Sequence, residues 1–449
     1  MSNLTLRNIY GKDGQPVNFP NGLTVGTGAA GTVNNIGIAG QPGFGVGICP
    51  GQLPAGMGAM FGYTDPLSDN YGNYQYSDGS VMVWVPAFFY KVGTGANGLA
   101  LNRFDIKPFS AYTDVAAANA AGYALHRAFY DGGAIQPGFF VDKYLVSNNS
   151  GIASSLKNGI VLTSGQRGSL STAVYSALTG APANNLGGSI AAAKTRGSNF
   201  FASSRFIFSA LAMLATAHGQ AATAVTYCAW YDAAGVKNFP KGCNNNALGD
   251  ANDSAILFVD DGNGTYNCGR TGSANLFART THNGQNSGVA DLNGIVWEYT
   301  PGIGSNGSNY FVLKTSKAMK NMTGGNSVAT DLFGATGLST NYDDLGTTYA
   351  SLTAASANKG FGSANQVLSE ATSGNAWNVT GAGVPLAGGV GGSNLFGNDY
   401  MLDYRTNEMA PLSGGGWDHS SGAGVWALYL DFSRTGSNSD VGFRSALYL

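Results

Sequence analysis

Glycine constrains this chain more than any other feature: it makes up 68 of 449 residues and follows no fixed spacing. The usual share of glycine is roughly 7%. An irregular spacing excludes a collagen-like triple helix, which needs glycine at every third position. Since 43% of the residues are hydrophobic, the chain can still bury a core. The pattern predicts a globular protein with long polar loops, many of them using the left-handed backbone conformation that glycine tolerates.

The charge pattern excludes several kinds of partner. Charged residues are 11% of the chain, the formal net charge is −2, and no run of Lys and Arg occurs, so we expect no nucleic acid partner. The N-terminal MSNLTLRNIYGKDG lacks the apolar core of a secretory signal. The apolar helical stretch FIFSALAMLATA is too short to cross a bilayer. We therefore expect cytoplasmic synthesis without a signal peptide and without membrane insertion.

The sequence indicates neither a cofactor nor a metal site. The four cysteines are Cys49, Cys228, Cys243 and Cys268. They contain no CxxC pair, which favours free thiols over disulfides or structural zinc. The four histidines, which show no metal-ligand spacing, are His126, His218, His282 and His419. The oxygen-rich turns near Asp250 and Asp260 favour Asx turns over calcium loops, though both remain open.

The order of patterns predicts an α+β fold. The segment MVWVPAFFYKVG (82–93) is typical of a buried strand, and Asp131-Gly132-Gly133 predicts a turn between two strands. A helix should begin after Ser203 or Ser204 and end at Gly219. Because that helix is apolar nearly all round, it should be packed on both sides. A second short helix is expected near residues 223–235.

The last part of the chain, GGGWDHSSGAGVWALYLDFSRTGSNSDVGFR (414–444), gathers aromatic and polar side chains between glycines. In WALYLDF, Trp426, Leu428, Leu430 and Phe432 alternate with smaller or polar residues, so one face can be core and the other solvent. Tyr and Trp provide contact area at low entropic cost, and Asp, Asn and Arg provide directional hydrogen bonds. The stretch is typical either of a core hairpin with a decorated surface or of a displayed binding face.

Four segments in chain order resemble the formylglycine-generating-enzyme-like (sulfatase-modifying-factor) branch of the C-type-lectin fold. They are MVWVPAFFYKVG (82–93), GFFVDKYLVSNN (138–149), GVADLNGIVWEYTPG (288–302) and the closing GGGWDHSSG…DVGFR. Leu145 stands where that family commonly has a glutamate, and Tyr299 replaces its last Trp. The resemblance implies a C-type-lectin-like domain at 78–449, with short antiparallel strands, two or so helices and long Gly/Asn-rich loops. A small, mainly β region would precede it at 1–77.

The closing segment is also similar to the variable region of the phage major tropism determinant and other retroelement variable proteins. In that family a W…G-x-R frame is structural, and the positions inside it contact a host receptor. The implied frame residues are Gly415, Gly416, Trp417, Gly442, Phe443 and Arg444, to which we add Trp297 as a core residue beside a buried, backbone-bonded Glu298. The implied ligand-binding residues are Asp418, His419, Ser420, Trp426, Tyr429, Asp431, Arg434, Asn438 and Asp440.

The resemblance implies a receptor-binding protein of a phage tail tip or tail fibre, an adhesin that displays its C-terminal face to a bacterial surface protein or glycan. Residues 1–77 would attach it to other tail proteins in the virion or assemble a homotrimer. One alternative is a structural tail or baseplate protein that binds only virion proteins; another is a degenerate formylglycine-generating-type enzyme. Those oxidases need a reactive cysteine pair in the C-terminal part of the fold. Since Cys268 is the last cysteine, we expect no enzymatic activity.

Overall fold

In a computed structural model, the chain is described at residues 31, 33–232, 240–243, 245–346, 357–361, 365–386, 399–404 and 408–449. Within these ranges it is a mixed α+β protein with four α-helices and several small sheets, most of whose strand pairs are antiparallel. The expected class is confirmed, with more helices than the two or so expected. The helices are α1 (Val115–Ala120), α2 (Leu186–Ala193), α3 (Arg205–Ala221) and α4 (Gly374–Gly381).

The strands are short, as the glycine-rich sequence predicts. They are β1 (Met57–Ala59), β2 (Asn73–Tyr76), β3 (Val81–Pro86), β4 (Phe88–Val92), β5 (Phe104–Pro108), β6 (Ala124–Leu125), β7 (Tyr130–Asp131), β8 (Ala134–Ile135), β9 (Gly138–Asp142), β10 (Val146–Asn149), β11 (Ile152–Ser155), β12 (Phe201–Ala202), β13 (Trp297–Tyr299), β14 (Ile303–Ser305), β15 (Tyr310–Leu313), β16 (Tyr342–Gly346), β17 (Ala357–Gly360), β18 (Tyr400–Asp403), β19 (Met409–Ser413), β20 (Leu428–Ser433), β21 (Val441–Gly442) and β22 (Ser445–Leu447).

The first six-stranded sheet has the order β1-β2-β3-β9-β22-β12, and all its pairs are antiparallel. Its central strands are buried on both faces, which explains the nearly continuous apolar run of β3. Strands β1 and β2, and the buried side chains of Ile36 and Phe44, lie before residue 78. Strand β2 pairs with β3 across residue 77, and the division into regions 1–77 and 78–449 stays a prediction. Residues 1–30 lie outside the described ranges.

The second six-stranded sheet has the order β17-β18-β20-β19-β13-β21. Two of its pairs, β18 with β20 and β13 with β21, are parallel. Its edge at β13 and β21 comes from two distant parts of the chain. This arrangement brings the segment around residue 297 beside the segment around residue 441, and so builds the surface described below.

Smaller sheets complete the fold, in the orders β14-β15-β16, β5-β4-β6, β10-β11 and β7-β8. The β7–β8 hairpin confirms the predicted turn. Gly132 and Gly133 have φ values of 61° and 82°, and a two-residue turn with positive φ at both positions matches the twist of the strands.

Helix α3 begins as predicted, because the Ser204 hydroxyl accepts a hydrogen bond from Ile207 N at 3.2 Å. Its first fourteen residues, 205–218, are all buried, which confirms that it packs on both sides. The predicted end at Gly219 is wrong. The helix continues to Ala221, because Ala222 N still donates to His218 O and the chain turns extended only at residue 222.

The helix expected near residues 223–235 is also absent from the described part of that segment. Residues 223–232 form turns and irregular backbone, and 233–235 lie outside the described ranges. Cys228 and Trp230 are buried there, so their apolar character reflects tertiary packing and not a helical face. Among the described residues, no helix combines the length and the apolar character that a membrane crossing needs.

Candidate functional site

Arg444 joins the two large sheets. Its Nε lies 2.9 and 3.0 Å from the two carboxylate oxygens of Glu298 on β13. Its Nη1 donates to Lys143 O and Asp142 O at the end of β9. Both Arg444 and Glu298 are buried. The sequence reasoning expected Glu298 to bond to the backbone, and the structure corrects this, because an arginine side chain is its partner.

The other frame positions are packed tightly. Trp417 is buried and its ring lies tilted against that of Tyr266, and Phe443 is buried against Tyr175. Gly415 has a φ of 103°, and a Cβ there would lie 2.4 Å from the Cβ of Ala423. At Gly442 a Cβ would lie 2.8 Å from the carbonyl oxygen of Leu162. These contacts require glycine at both positions.

An open cleft of about 290 Å³ lies beside this frame, over the β13–β21 edge of the second sheet. Loop residues and side chains of β13, β19, β20 and β21 form its walls. Its lining consists of Trp297, Leu412, Asp418, His419, Tyr429, Phe432, Asn438, Asp440 and Val441. Five of these, Asp418, His419, Tyr429, Asn438 and Asp440, are among the nine residues that the sequence implies for ligand binding. We call this surface the C-terminal cleft.

Trp297 organises the aromatic wall of the C-terminal cleft. Its ring centroid lies 4.8 Å from that of His419, with the planes at 81°, and 5.9 Å from that of Tyr429. Its Nε1 lies 3.2 Å from His419 Nδ1 and 3.3 Å from His419 Nε2. Trp297 itself is buried. It therefore positions the more exposed rings that a ligand would meet.

The C-terminal cleft contains two carboxyl groups, those of Asp418 and Asp440. The hydrogen bond from His419 holds the pKa of Asp418 below its ordinary value. Burial, reinforced by the charge of Asp418, raises the pKa of Asp440 to about 6. Burial also raises the pKa of Tyr429. The cleft thus combines carboxylates with aromatic rings, which suits a ligand that offers hydrogen-bond donors or a positive charge.

The structure removes two residues from the implied binding face. Trp426 is fully buried, and its Nε1 donates to Thr216 of α3 at 2.8 Å. Arg434 is buried and its side chain donates to the carbonyl oxygens of Met409 and Ser327. Both belong to the core. Ser420 and Asp431 are partly exposed but do not line the cleft.

Sequence reasoning missed three apolar residues of the lining, Leu412, Phe432 and Val441. The alternation in WALYLDF places Phe432 on the core face. In the structure Phe432 is partly exposed at the end of β20, where the pairing with β19 is irregular between Ala410 and Leu412. An irregular register turns a side chain away from its expected face, and no local pattern signals it.

The oxygen-rich loops near Asp250 and Asp260 and the four cysteines have structural surroundings. Asx turns occupy the oxygen-rich loops: Asp250 Oδ1 accepts from Asn252 N, and Asp260 Oδ1 accepts from Gly262 N. All four cysteines are free and buried, which confirms the predicted free thiols. Burial raises the pKa of the Cys49 and Cys268 thiols to about 12. A thiolate is therefore not populated at these positions near neutral pH.

The fold is a mixed α+β scaffold, and the site is an acidic, aromatic cleft that it holds near the C-terminus. Solved structures similar to this chain include variants of a major tropism determinant. The M1 variant has a TM-score of 0.30 at 13% identity, over 82% of this chain and 63% of that chain. The U1 variant has a TM-score of 0.31 at 11% identity, over 83% and 65%. The match thus spans less than two thirds of those chains. No protein-family model and no curated protein matches.

Proposed function

We propose that this chain is a phage tail receptor-binding protein that attaches the virion to a bacterial surface ligand through the C-terminal cleft. The observation that carries the proposal is the convergence in one cleft of Asp418, His419, Tyr429, Asn438 and Asp440. The sequence separates these residues by up to 22 positions. Their assembly beside a rigid frame is the arrangement that a displayed recognition surface needs.

The residue types in the cleft support recognition of a surface ligand. Tyr429 and His419 offer ring area with a polar tip, and Asp418 and Asn438 are exposed on the rim. Such amphipathic rings, surrounded by adaptable polar groups, are typical of binding surfaces. The resemblance of the closing segment to tropism-determinant variable regions, given above, points in the same direction.

The buried state of the cysteines argues against a thiol-dependent oxidase. The last cysteine, Cys268, is fully buried beside Ile295, and its raised pKa disfavours the thiolate that copper or nucleophilic chemistry requires. We therefore propose that the protein has no enzymatic activity, and that its C-type-lectin-like domain serves only for display.

The experiment is a pull-down of receptor from detergent-solubilised host envelope with purified full-length protein as bait. A cleft variant, Tyr429→Ala with Asn438→Ala, removes one half-exposed and one exposed lining side chain. A control variant, Tyr112→Ala with Asn375→Ala, removes the same chemical groups elsewhere; Tyr112 is also half-exposed with a ring contact, and Asn375 is exposed. We expect the wild type and the control to retain one envelope component that the cleft variant loses.

Two results would contradict the proposal. Retention of the same component by the cleft variant would place the receptor site elsewhere. Binding to purified virion proteins only, with no envelope component retained by any bait, would favour a structural tail or baseplate protein.

A further inference from the structure

Three potential metal ligands converge at one wall of the C-terminal cleft. One ligand atom from each of Asp418, His419 and Asp440 lies within 4.8 Å of the others. A Cβ atom added at Gly416 would lie 3.3 Å from Asp418 Oδ1, 3.3 Å from His419 Nδ1 and 3.4 Å from Asp440 Oδ2. The three atoms therefore surround one small space, which the missing side chain of Gly416 keeps clear.

Asp440 provides a second, independent sign of a missing partner. Its side chain points into this cluster although the residue is only 8% exposed, and its Oδ1 is buried without a hydrogen-bond partner. Arg167, whose charge acts on Asp440, is already engaged by Asp261 at 2.7 Å. A buried carboxylate oxygen without a donor is costly, and a cation bound by both oxygens of the Asp440 carboxylate would remove that cost.

The donor set selects the kind of cation. One imidazole nitrogen and two carboxylates suit zinc and similar transition metals, whereas calcium and magnesium prefer oxygen ligands only. His419 Nδ1 and Asp418 Oδ1 lie 2.9 Å apart. Without an ion, this spacing is a hydrogen bond. Two ligands at about 2.1 Å from a tetrahedral ion are separated by about 3.4 Å, so the two side chains need to move apart by only about 0.5 Å to bind one ion.

The surroundings hold the imidazole in place. Trp297 Nε1 lies nearly equally far from both ring nitrogens of His419, and the Trp297 backbone N–H donates to Asp440 O at 2.7 Å. One tryptophan thus fixes the positions of two ligands that are 21 residues apart in the sequence. Such outer contacts orient the ligands of metal sites in proteins.

We propose that Asp418, His419 and Asp440 bind one divalent transition-metal cation, with Zn²⁺ as the best-fitting ion. Asp418 Oδ1, His419 Nδ1 and the two carboxylate oxygens of Asp440 are the protein ligands. Three protein ligands leave at least one position for water or for an oxygen of a molecule in the cleft. That last role rests on the proposed receptor-binding function, whereas metal binding itself does not.

The test is calorimetric titration of untagged, EDTA-treated full-length protein with ZnCl₂, and in parallel with CaCl₂. We expect one zinc per chain and weaker or no calcium binding. Asp440→Asn and His419→Ala each remove a ligand and should weaken zinc binding by more than about 10-fold. Gly416→Ala keeps all three ligands but fills the space between them, and should weaken binding as well. Asp343→Asn, at an exposed carboxylate outside the cluster, should bind zinc like the wild type.

Circular dichroism and melting in EDTA will show that each variant is folded. Zinc should raise the melting temperature of the wild type and of Asp343→Asn, but not that of Asp440→Asn. Absence of zinc binding by the folded wild type, or binding that neither Asp440→Asn nor Gly416→Ala weakens, would overturn the proposal. Because no host component is used, a chain that binds zinc but no envelope ligand would contradict only the receptor-binding function.

Discussion

Arg444 is the residue on which the C-terminal frame depends most. It pairs with Glu298 inside the protein and donates to two carbonyl oxygens of another sheet. Arg444→Ala would leave the Glu298 carboxylate buried without its partner. Removal of one member of a buried pair costs about 3–5 kcal/mol. We expect a loss of this size in the free energy of unfolding, measured by urea denaturation at neutral pH.

A double variant, Arg444→Met with Glu298→Gln, is the control for this prediction. Since it removes both charges and keeps similar volumes, it should recover part of the loss. If the single variant were as stable as the wild type, the pair would not hold the sheets together.

Trp426 gives a second prediction at the residue scale. It is fully buried, packs near Phe361 and bonds to Thr216. Trp426→Ala should cost about 3–5 kcal/mol of stability, and the fraction that remains folded should bind host cells normally. Urea denaturation and cell binding of the folded fraction check this. If the Trp426→Ala protein were stable but no longer bound host cells, Trp426 would be a ligand-binding residue and the prediction would be wrong.

The sequence predicts some of these residues better than others. The alternation in WALYLDF correctly places Trp426 with Leu428 and Leu430 on one face, and the resemblance alone made it a ligand-binding residue. The resemblance placed Asp418, His419 and Asp440 on one binding face, but their close approach in one cluster was not predictable, because it depends on the parallel pairing of β13 with β21. Such pairing joins segments that local patterns cannot relate.

At the scale of elements, two histidines tie the segment before β1 to the body of the protein. His218 Nδ1 accepts from Gly40 N, and its Nε2 donates to Tyr227 O. His282 Nδ1 accepts from Val289 N, and its Nε2 donates to Gly45 O. Each ring needs one bare and one protonated nitrogen, so both are held neutral. Burial lowers the pKa of both to about 4.

Because of these contacts, we expect the free energy of unfolding to decrease at acidic pH. Because the folded pKa values lie below the unfolded value of about 6.5, the unfolded state binds more protons in this range. Stability is therefore full above about pH 6.5 and is lost as the pH falls toward 4. Each histidine should cost about 2 kcal/mol between about pH 7.5 and about pH 5.

Urea denaturation across this pH range measures the effect. A His218→Gln variant should be less stable at neutral pH and should show a shallower dependence on pH. A stability that stays constant between about pH 7.5 and about pH 5 in the wild type would contradict the assignment of neutral, buried rings.

The elements themselves were predictable where the signal is local. The N-cap at Ser204, the glycine turn at 132–133 and the apolar run of β3 each follow from their own residues. The end of α3 was not predictable from its own residues, because distant contacts fix its last turn. One of them is the hydrogen bond that Gln220 Oε1 accepts from Phe104 N. The apolar residues near Trp230 resemble a helix face in sequence but fill the core as turns.

At the scale of the whole molecule, we expect a homotrimer. Apolar side chains are exposed near the start of the described chain, where Phe61 is 90% exposed and Ile38 72%. Leu67 is also exposed, and it lines a cavity together with the exposed Val225 from the middle of the chain. Exposed apolar surface of this kind is typical of interaction sites. Light scattering at micromolar concentration should give three times the chain mass, and Phe61→Ser should shift it toward monomer. A monomeric wild type would contradict this prediction.

We propose that the frame holds the fold while the C-terminal cleft binds the host. The most direct test measures host-cell adsorption and melting temperature together for the Tyr429→Ala/Asn438→Ala and Tyr112→Ala/Asn375→Ala variants. We predict that the cleft variant melts close to the wild type but loses more than about 2 kcal/mol of binding, about 30-fold in Kd, and that the control keeps wild-type adsorption. A cleft variant that adsorbs like the wild type, whatever its melting temperature, would contradict the account.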